Sequence, residues 1–460
     1  MRVRILVLFF VLLVTGAACS SLRTREPLPT LSKIVKDITK EATVPATNPA
    51  SVQPLEGQAG GPIHYGYTNQ RADGNRLVEG RGHLPDAEVI DVSLDGVPRW
   101  LVAVPVDGEM ASGSTSLWTV VLEDGRVRSF FLKDGVVSEG PSPPTLAESN
   151  PPLLHFVDGR PEFLRPPGDA PELAPPAILD ESGNWVYIDA NGDLVFMLAS
   201  GVESTRLPMN ALPDGRILVD GDRRLLLLTQ PTERYGHGVL GDATEAGAVT
   251  LIETEPEPTV ILTILIPEPL VVEGIAPLWA DITGDGSREI ILTLSDNEQG
   301  AQIVAYDENG VQVAAGPAIG RGHRWRHQLA VAPFGPDGEV ELVDVLTPHI
   351  GGVVEYYRLV GNELKIVAQA PGYTSHVNGT RNLDMAIAGD FDGDRRIELL
   401  LPNQARTELG AIIRTDGGAE VSWTIPLDGK LSTNLAAVTT ASGRLILGAG
   451  TEDGILRLWS

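Results

Sequence analysis

Two stretches of the sequence share one pattern of acidic and aliphatic residues: Asp390-Phe-Asp-Gly-Asp394-Arg-Arg-Ile-Glu398-Leu-Leu and Asp281-Ile-Thr-Gly-Asp285-Gly-Ser-Arg-Glu289-Ile-Ile. Aspartates match at positions one and five, a glutamate matches at position nine, and aliphatic residues follow it. Residues that favour tight turns therefore lead directly into residues that favour strands. Each stretch predicts an acidic loop that enters a buried β-strand.

Weaker copies of this pattern recur along the chain. Their fifth positions are Asp95, Asp158, Asp214, Asp337 and Ser442. The seven copies follow one another at intervals of about 50 to 70 residues, and Asp-Gly or Asn-Gly dipeptides between them mark further hairpins. About four short strands per repeat is typical of a blade of a β-propeller.

The sequence therefore predicts an all-β fold, a seven-bladed β-propeller, with six or eight blades left open. Only the last 18 residues follow Ser442, too few for three more strands. We therefore expect an N-terminal strand, around 75–80, to close the last blade.

The charge of the chain limits its partners. Asp and Glu number 61 against 35 Lys and Arg, which gives a net charge of −26. Such a charge disfavours nucleic acid and anionic lipid as partners and favours cations, basic proteins or neutral glycans. The alternative is that the charge only keeps the protein soluble.

The N-terminus has the pattern of an export signal. A short basic segment precedes the apolar run 5–14, and small residues stand directly before the single cysteine, Cys19. This arrangement resembles the lipobox of bacterial lipoproteins, although Gly16 replaces the usual Leu; the alternative is an ordinary cleaved signal. Residues 19–60 are rich in Ser, Thr, Pro and Ala and are expected to form a flexible tether before the propeller at 61–460. The resemblance implies a signal peptide at 1–18 and lipidation of Cys19. It places the protein in the bacterial cell envelope, outside the cytoplasm, with the lipid as its only membrane attachment, at the outer membrane or cell surface.

The two strong acidic loops have the spacing of calcium sites. Calcium takes six to eight oxygen ligands, and oxygens two residues apart can converge on one cation. The predicted ligands are the side chains of Asp390, Asp392, Asp394 and Glu398 with the carbonyl of Arg396, and those of Asp281, Thr283, Asp285 and Glu289 with the carbonyl of Ser287. No Cys or His joins either set, which argues against zinc or copper. The alternative is a plain Asp-Gly turn, and we expect plain turns at the other five copies.

These loops resemble the FG-GAP/VCBS repeat, which occurs in integrin α-chain propellers and in many exported bacterial proteins. The pattern covers roughly residues 80–460. The resemblance implies that the calcium loops lie on one face of the propeller and that binding occurs on the opposite face. The family is functionally broad, so the resemblance implies a fold more firmly than a partner.

A basic and aromatic segment is the candidate for that binding face. Arginine and aromatic residues are enriched in binding hot spots and in carboxylate recognition. The predicted partner-binding residues are Arg321, His323, Arg324, Trp325, Arg326, His327, Tyr373, His376 and Arg381. The alternative is that they neutralise neighbouring acids and pack between blades. A zinc site from His323, His327 and His376 is a weaker alternative.

No enzyme signature is present in the sequence: His-Glu-x-x-His, Gly-x-Ser-x-Gly, the P-loop and the dinucleotide fingerprint are all missing. We therefore expect a non-catalytic binding or adhesion module for a protein or glycan. The alternatives are a polysaccharide lyase or hydrolase that uses the propeller funnel, and a scaffold in envelope assembly.

Overall fold

The computed structural model describes residues 63–106, 115–157, 160–168 and 170–460. Every regular element in these ranges is a β-strand, which confirms the all-β prediction. Within the same ranges no helix is long and apolar enough to cross a membrane. The predicted signal peptide, Cys19, the tether and Asp158 lie outside the described residues.

The strands are short and follow one another at close intervals. The first thirteen are β1 (Ile63–Gly66), β2 (Leu77–Arg81), β3 (Val89–Ser93), β4 (Pro98–Pro105), β5 (Thr115–Leu122), β6 (Val127–Lys133), β7 (Val136–Gly140), β8 (Leu154–Val157), β9 (Arg160–Phe163), β10 (Ala177–Ile178), β11 (Trp185–Ile188), β12 (Leu194–Met197) and β13 (Glu203–Leu207). The next nine are β14 (Leu218–Val219), β15 (Leu225–Thr232), β16 (Glu245–Glu253), β17 (Thr259–Leu265), β18 (Val271–Val272), β19 (Leu278–Ala280), β20 (Glu289–Ser295), β21 (Gln302–Tyr306) and β22 (Gln312–Ala315). The last eleven are β23 (Arg326–Ala332), β24 (Glu341–Leu346), β25 (Val353–Val360), β26 (Glu363–Pro371), β27 (Ile387–Asp390), β28 (Glu398–Pro402), β29 (Glu408–Thr415), β30 (Gly418–Pro426), β31 (Ala436–Thr439), β32 (Leu445–Thr451) and β33 (Ile455–Trp459).

Seven antiparallel units of four strands form within the described ranges, and we call them blades 1 to 7. Blades 1 to 6 are β4–β7, β10–β13, β14–β17, β19–β22, β23–β26 and β27–β30. Blade 7 consists of β31, β32, β33 and β3. A separate three-stranded sheet, in the order β1-β8-β9, is called the small sheet. The units are arranged as a β-propeller, in agreement with the prediction.

Hydrophobic clusters lie between successive sheets and hold the ring together. The cluster around Trp118 joins blade 1 to blade 7, and the cluster around Trp279 joins blades 3 and 4. Another packs Leu154 and Phe156 of the small sheet against Val102 and neighbouring side chains of blade 1. The small sheet therefore occupies a place in the ring beside blade 1. The predicted number of seven equals the number of four-stranded units. Strand β18 pairs with β16 and β20, and β22 pairs with β26, so blades 3 to 5 form one continuous sheet.

Burial differs between inner and outer strands for a simple reason. Every residue of β5 and of β20 is buried, because neighbouring blades cover both faces of the middle strands. The outer strand β26 instead alternates exposed and buried residues, since one of its faces is open to solvent. This explains why the middle strands are continuous apolar runs in the sequence.

An N-terminal strand closes the last blade, as predicted, but a different segment does so. β3 pairs antiparallel with β33, from Val89 opposite Trp459 to Ser93 opposite Ile455. The segment expected to close the ring, around 75–80, forms β2 instead, which pairs in parallel with the inner strand β27. Asp95 therefore lies in the turn after the closing strand, and Asp214 precedes β14. Neither lies in the loop between the first two strands of a blade, where the strong copies lie.

Residues 66–81, which we call the axial segment, line the inner strands of the propeller. Ala72 accepts a hydrogen bond from Val219 of blade 3 (3.0 Å), and Asn75 bonds both backbone groups of Val331 in blade 5 (2.9 and 3.2 Å). Further along, the Arg81 amide donates to Gly443 in blade 7 (3.0 Å). Inner strands surround the central channel of a propeller, so the axial segment fills this channel.

Arg76 ties the axial segment to the blades around it. Its guanidinium donates to the carbonyls of Leu383 (2.9 Å), Gln328 and Leu329 (both 3.2 Å) and to Asp384 (3.0 Å). Arg216 binds the same carboxylate in a bidentate pair. Burial acts to raise the pKa of Asp384, but the two guanidinium groups outweigh it and hold that pKa below its usual value.

Candidate metal centre

The strongest acidic loop joins the inner strand β27 of blade 6 to its neighbour β28. Asp390 is the last residue of β27 and Glu398 is the first of β28. Gly393 and Arg395 adopt positive φ angles of 85° and 75°, which reverse the chain between them. The strand ends therefore hold the two outer acids of the pattern close together.

Four carboxylates converge in this loop. One oxygen from each of Asp390, Asp392, Asp394 and Glu398 lies within 4.8 Å of the others. In the part of the chain that the structure describes, this is the one group of three or more His, Cys, Asp or Glu side chains with such geometry. The group could hold a metal ion.

Backbone hydrogen bonds fix the aspartates in place. Oδ1 of Asp390 accepts from the Gly393 amide (2.8 Å), Oδ1 of Asp392 from the Asp394 amide (3.0 Å) and Oδ1 of Asp394 from the Arg396 amide (2.7 Å). Each aspartate thus uses at least one oxygen to shape the loop. The repeated bond to an amide two or three residues ahead is typical of Asx turns.

Glu398 provides the clearest indication that this group binds a cation. The side chain is fully buried, and its Oε2 accepts a hydrogen bond from the Phe391 amide (2.7 Å). Its Oε1 is buried without any hydrogen-bond partner. Burial, reinforced by the three aspartates, raises the pKa of Glu398 to about 8. Because a buried unpaired acceptor costs free energy, a cation at this point would satisfy the carboxylate.

The second acidic loop, in blade 4, has similar backbone hydrogen bonds, but fewer of its side-chain oxygens lack a hydrogen-bond partner. Both carboxylate oxygens of Asp281 accept backbone bonds, from Gly284 (2.6 Å) and Gly286 (2.9 Å). Glu289 is buried, and burial raises its pKa, but its oxygens accept bonds from the Ile282 amide and from Thr283. Thr283 bonds both Asp281 and Glu289, but Asp281, Asp285 and Glu289 do not form a converging group in the described residues, and the loop has no buried side-chain oxygen without a partner.

Blade 5 has the same glutamate at position nine but lacks the aspartates of positions one and three, where Pro333 and Gly335 stand instead. Glu341 begins β24 of blade 5 and is fully buried, like Glu398 in blade 6. Its carboxylate accepts bonds from Arg414 Nε (2.8 Å) and from Arg358 (2.6 Å). The glutamate at position nine of blade 5 is thus neutralised by guanidinium groups. No cation of the chain takes that role for Glu398 in the described residues.

Sequence reasoning missed several neighbours of the first loop. The indole Nε1 of Trp423 donates to Asp392 Oδ2 (3.3 Å), and Arg81 Nε lies 3.8 Å from Asp390 Oδ2. No local signal could have identified Arg81, because it reaches the loop from the axial segment. Trp423 stands on β30 of the same blade and could only have been found from the register of the hairpin.

The predicted partner-binding residues lie at the other end of the blades. Strands in each blade alternate in direction, so loops between blades lie opposite the loops between first and second strands. Five of the nine predicted side chains are buried, namely Trp325, Arg326, His327, Tyr373 and His376. The structure gives them packing and hydrogen-bonding roles, as the alternative interpretation expected. Arg321, His323 and Arg324 are exposed, and Arg381 is half-buried.

Arg326 illustrates the packing role. Its guanidinium bonds Asp344 (3.2 Å), Glu355 and the hydroxyl of Tyr357, all on neighbouring strands of blade 5. Burial raises the pKa of Asp344 to about 7, while Arg326 acts against this rise. Arg381 likewise bonds Asp214 and Asp242 of blade 3. Arg326 thus neutralises buried acids, and Arg381 pairs with buried Asp214 and exposed Asp242, so the guanidinium groups of both arginines already have acidic partners.

The buried histidines form an aromatic stack around Trp325. The indole ring stacks on His327 with centroids 4.7 Å apart, and its Nε1 donates to the Glu273 carbonyl (3.2 Å). His376 Nε2 bonds the Thr380 carbonyl (2.7 Å), so its Nδ1 accepts from His349 (2.7 Å). Burial lowers the pKa of His376 to about 3 and that of His349 to about 4.

The zinc alternative does not fit this arrangement. His323 stands apart from the stack, where its Nε2 bonds Asn297 (2.8 Å). His327 bonds Ser375 (2.8 Å), and its ring centroid lies 6.1 Å from that of His376. The ligand atoms of His323, His327 and His376 do not form a converging group in the described residues.

Comparison with solved structures supports the fold assignment. A europium-containing methanol dehydrogenase is similar with a TM-score of 0.53 and 9% identity, over 85% of this chain and 90% of that one. The C-terminal WD40 domain of Sif2 (TM-score 0.41, 11% identity, 80% and 97% covered) and BamB from Moraxella catarrhalis (0.34, 12%, 84% and 94%) also match. No protein-family model and no curated protein sequence matches the chain. At these identities the similarity shows the fold alone, so the chain is a β-propeller.

Proposed function

We propose that the chain is an exported, lipid-anchored, calcium-binding β-propeller that acts as a non-catalytic binding module for a protein or a glycan. The observation that carries the calcium assignment is the orphaned, fully buried Oε1 of Glu398 beside three aspartates. The matching glutamate of blade 5, Glu341, is neutralised by two arginines. A cation is therefore the natural partner of the blade 6 cluster.

The donor set favours calcium over other metals. The side chains of Asp390, Asp392, Asp394 and Glu398, with the carbonyl of Arg396, would supply oxygen ligands only, and calcium accepts a larger number of oxygens than magnesium. A bound calcium ion would neutralise the clustered charges and hold β27 and β28 together. The loop of blade 4 would bind it with fewer charges and hence more weakly.

The filled channel supports a non-catalytic role. A polysaccharide-cleaving enzyme of the kind considered above would hold its substrate in the central funnel. Here the axial segment occupies that space, and the cavity lined by Arg76, Glu273, Trp325 and His327 has room for about one water molecule. Binding at a surface loop requires no such cavity.

The exposed part of the basic segment is the proposed binding surface. Arg321, His323 and Arg324 are exposed on the face opposite the acidic loops of blades 4 and 6. The ion pair between Arg321 and Glu298 is open to solvent, so it contributes little and can exchange for a ligand carboxylate. The expected ligand is an acidic glycan or an acidic protein segment that an arginine pair can bind.

Binding of the calcium-loaded full chain to an array of acidic and neutral glycans, with a protein pull-down in parallel, tests this proposal. We expect Arg321→Ala with Arg324→Ala to weaken ligand binding about tenfold or more, because exposed arginines at a binding site contribute on the order of 1–2 kcal/mol each. The melting temperature should not change. Arg223→Ala with Lys365→Ala removes the same charge from exposed positions elsewhere and should bind normally. Equal binding by both double variants would contradict the proposed surface.

A further inference from the structure

The outer strand of blade 3 differs from the outer strands of the other blades. β17 has the sequence Thr-Val-Ile-Leu-Thr-Ile-Leu, seven residues without a charge. Val260, Ile261 and Leu265 on this strand have exposed fractions of 40%, 47% and 63%. An outer strand that is apolar and exposed is an unusual combination in a soluble protein, because an unpaired edge can pair with another chain.

The other outer strands carry the charges that normally protect such edges. Glu139 stands in β7, Glu203 and Arg206 in β13, Lys365 in β26, Glu420 in β30 and Asp91 in β3. The short outer strand β22 has no charge, but it pairs with β26 through Ala315. Among the described outer strands of four-stranded blades, β17 alone is long, uncharged and paired on one side only.

The backbone of β17 is ready to accept another strand. It pairs antiparallel with β16 from Thr259 opposite Glu253 to Leu265 opposite Ala248. In the described residues no strand pairs with its other side. The side chains of Leu262 and Ile264 pack towards the turn at Gly310 of blade 4, so the strand is held firmly in place. A rigid, open edge with apolar side chains is the geometry used in β-strand addition.

Charges at the two ends of β17 indicate what kind of strand would pair with it. Glu253, Glu255 and Glu257 precede the strand and Glu268 follows it, and all four are exposed. Arg223 offsets Glu255, and Arg234 lies 3.9 Å from Glu268. Glu253 and Glu257 have no ion pair in the described part of the chain. The end of the edge that holds Glu253 and Glu257 is therefore acidic, whereas Arg234 offsets Glu268 at the other end.

A second copy of this chain is a poor match for that edge. Antiparallel pairing of two β17 strands would bring Glu257 of one copy towards Glu268 of the other. Parallel pairing would bring the two Glu257 side chains together. Like charges in such positions are destabilising, and both copies carry a net charge of −26. A partner with basic residues beside an apolar strand avoids this repulsion.

We propose that β17 is a docking edge for an extended segment of another protein, apolar and β-branched in its centre and rich in Lys or Arg on the side that meets Glu253 and Glu257. The segment would add a fifth strand to blade 3. Backbone hydrogen bonds would supply much of the affinity, and Ile261 and Leu265 would provide apolar contacts. This edge belongs to the outer rim of blade 3, so its occupation does not depend on the loop of Arg321 and Arg324.

A fluorescent peptide with alternating Val and Thr in its centre and two Lys at each end is the probe. Fluorescence anisotropy with the full chain should show saturable binding, and amides of β17 should exchange more slowly with solvent in hydrogen-exchange measurements. Ile261→Lys with Leu265→Lys should weaken binding at least tenfold. Because both side chains are exposed, this variant should fold normally.

Matched controls distinguish binding at the proposed edge from non-specific binding of the peptide. Val136→Lys with Val421→Lys makes the same change on the outer strands β7 and β30, at residues that are 68% and 42% exposed, and should bind like the wild type. A peptide with Glu in place of Lys should bind at least tenfold more weakly. Equal binding by the β17 variant or by the Glu peptide would overturn the proposal. So would a dimer of the unliganded chain in light scattering that Ile261→Lys with Leu265→Lys abolishes.

Discussion

Replacing Arg76 with alanine should destabilise the protein by about 3–5 kcal/mol, since the guanidinium is buried and satisfies four acceptors at once. The carbonyls of Leu383 and Gln328 would lose this donor in a dry part of the channel, while the Leu329 carbonyl would keep the backbone amide of residue 76 (3.4 Å). Asp384 would keep Arg216 as a partner, so the loss reflects the anchoring of the axial segment more than an unpaired acid. Urea denaturation of the variant and the wild type measures the difference.

An exposed arginine serves as the control for this prediction. Arg99 is 45% exposed and pairs with Glu123 at 3.2 Å on the surface of blade 1. We expect Arg99→Ala to change the free energy of unfolding by less than about 1 kcal/mol. If Arg76→Ala is as stable as Arg99→Ala, residues 66–81 do not fill the channel of the folded protein.

Removal of calcium should lower the melting temperature markedly. A ligand present at a thousand times its dissociation constant stabilises the folded state by about 4 kcal/mol. For a protein of this size that corresponds to a fall of about 5 °C on addition of a chelator. The physical cause is the return of unbalanced charge to Asp390, Asp392, Asp394 and Glu398.

Two variants determine where this effect arises. Asp392→Ala with Asp394→Ala should remove most of the chelator response, and Asp281→Ala with Asp285→Ala should remove the smaller remainder. Asp416→Ala with Glu420→Ala takes two exposed acids from the same blade without touching the loop, and it should respond like the wild type. A full chelator response in the Asp392 and Asp394 variant would place the metal elsewhere, and no response in the wild type would refute calcium binding.

The repeating pattern predicted the architecture because the acidic loop and the following strand are local features. Position nine of the pattern marks the first residue of a buried strand in three blades, at Glu289, Glu341 and Glu398. Asp-Gly turns and apolar runs likewise depend on only a few consecutive residues, so they can be recognised in the sequence. The fold class and the converging carboxylates of blade 6 could therefore be predicted from the sequence.

The closing strand and the axial segment could not be assigned in the same way. β3 and β2 are both short N-terminal strands, and only their distant partners, β33 and β27, distinguish them. The axial segment is polar, with Asn75 and Arg76 among its residues, so it has the composition of a surface loop. Its polar groups are satisfied by inner-strand backbone up to hundreds of residues away.

Burial within the predicted partner-binding segment could not be predicted, because composition does not report burial. Trp325 and His327 suit a binding surface as well as they suit a packed stack. Their neighbours His349 and His376 come from other loops, and these contacts bury the rings. Within this segment Arg324 is thus the last exposed residue, and the side chains from Trp325 to His327 are buried.

Terbium luminescence tests the central claim, a calcium ion in the loop 390–398, most directly. Tb³⁺ replaces calcium in oxygen-ligand sites and emits when a nearby indole transfers its excitation. Trp423 donates to Asp392 at 3.3 Å, so its indole lies beside the proposed ion. We predict indole-sensitised emission that calcium displaces and that Trp423→Phe or Asp392→Ala with Asp394→Ala greatly reduces. Emission of equal strength in the wild type and in both variants would contradict the account.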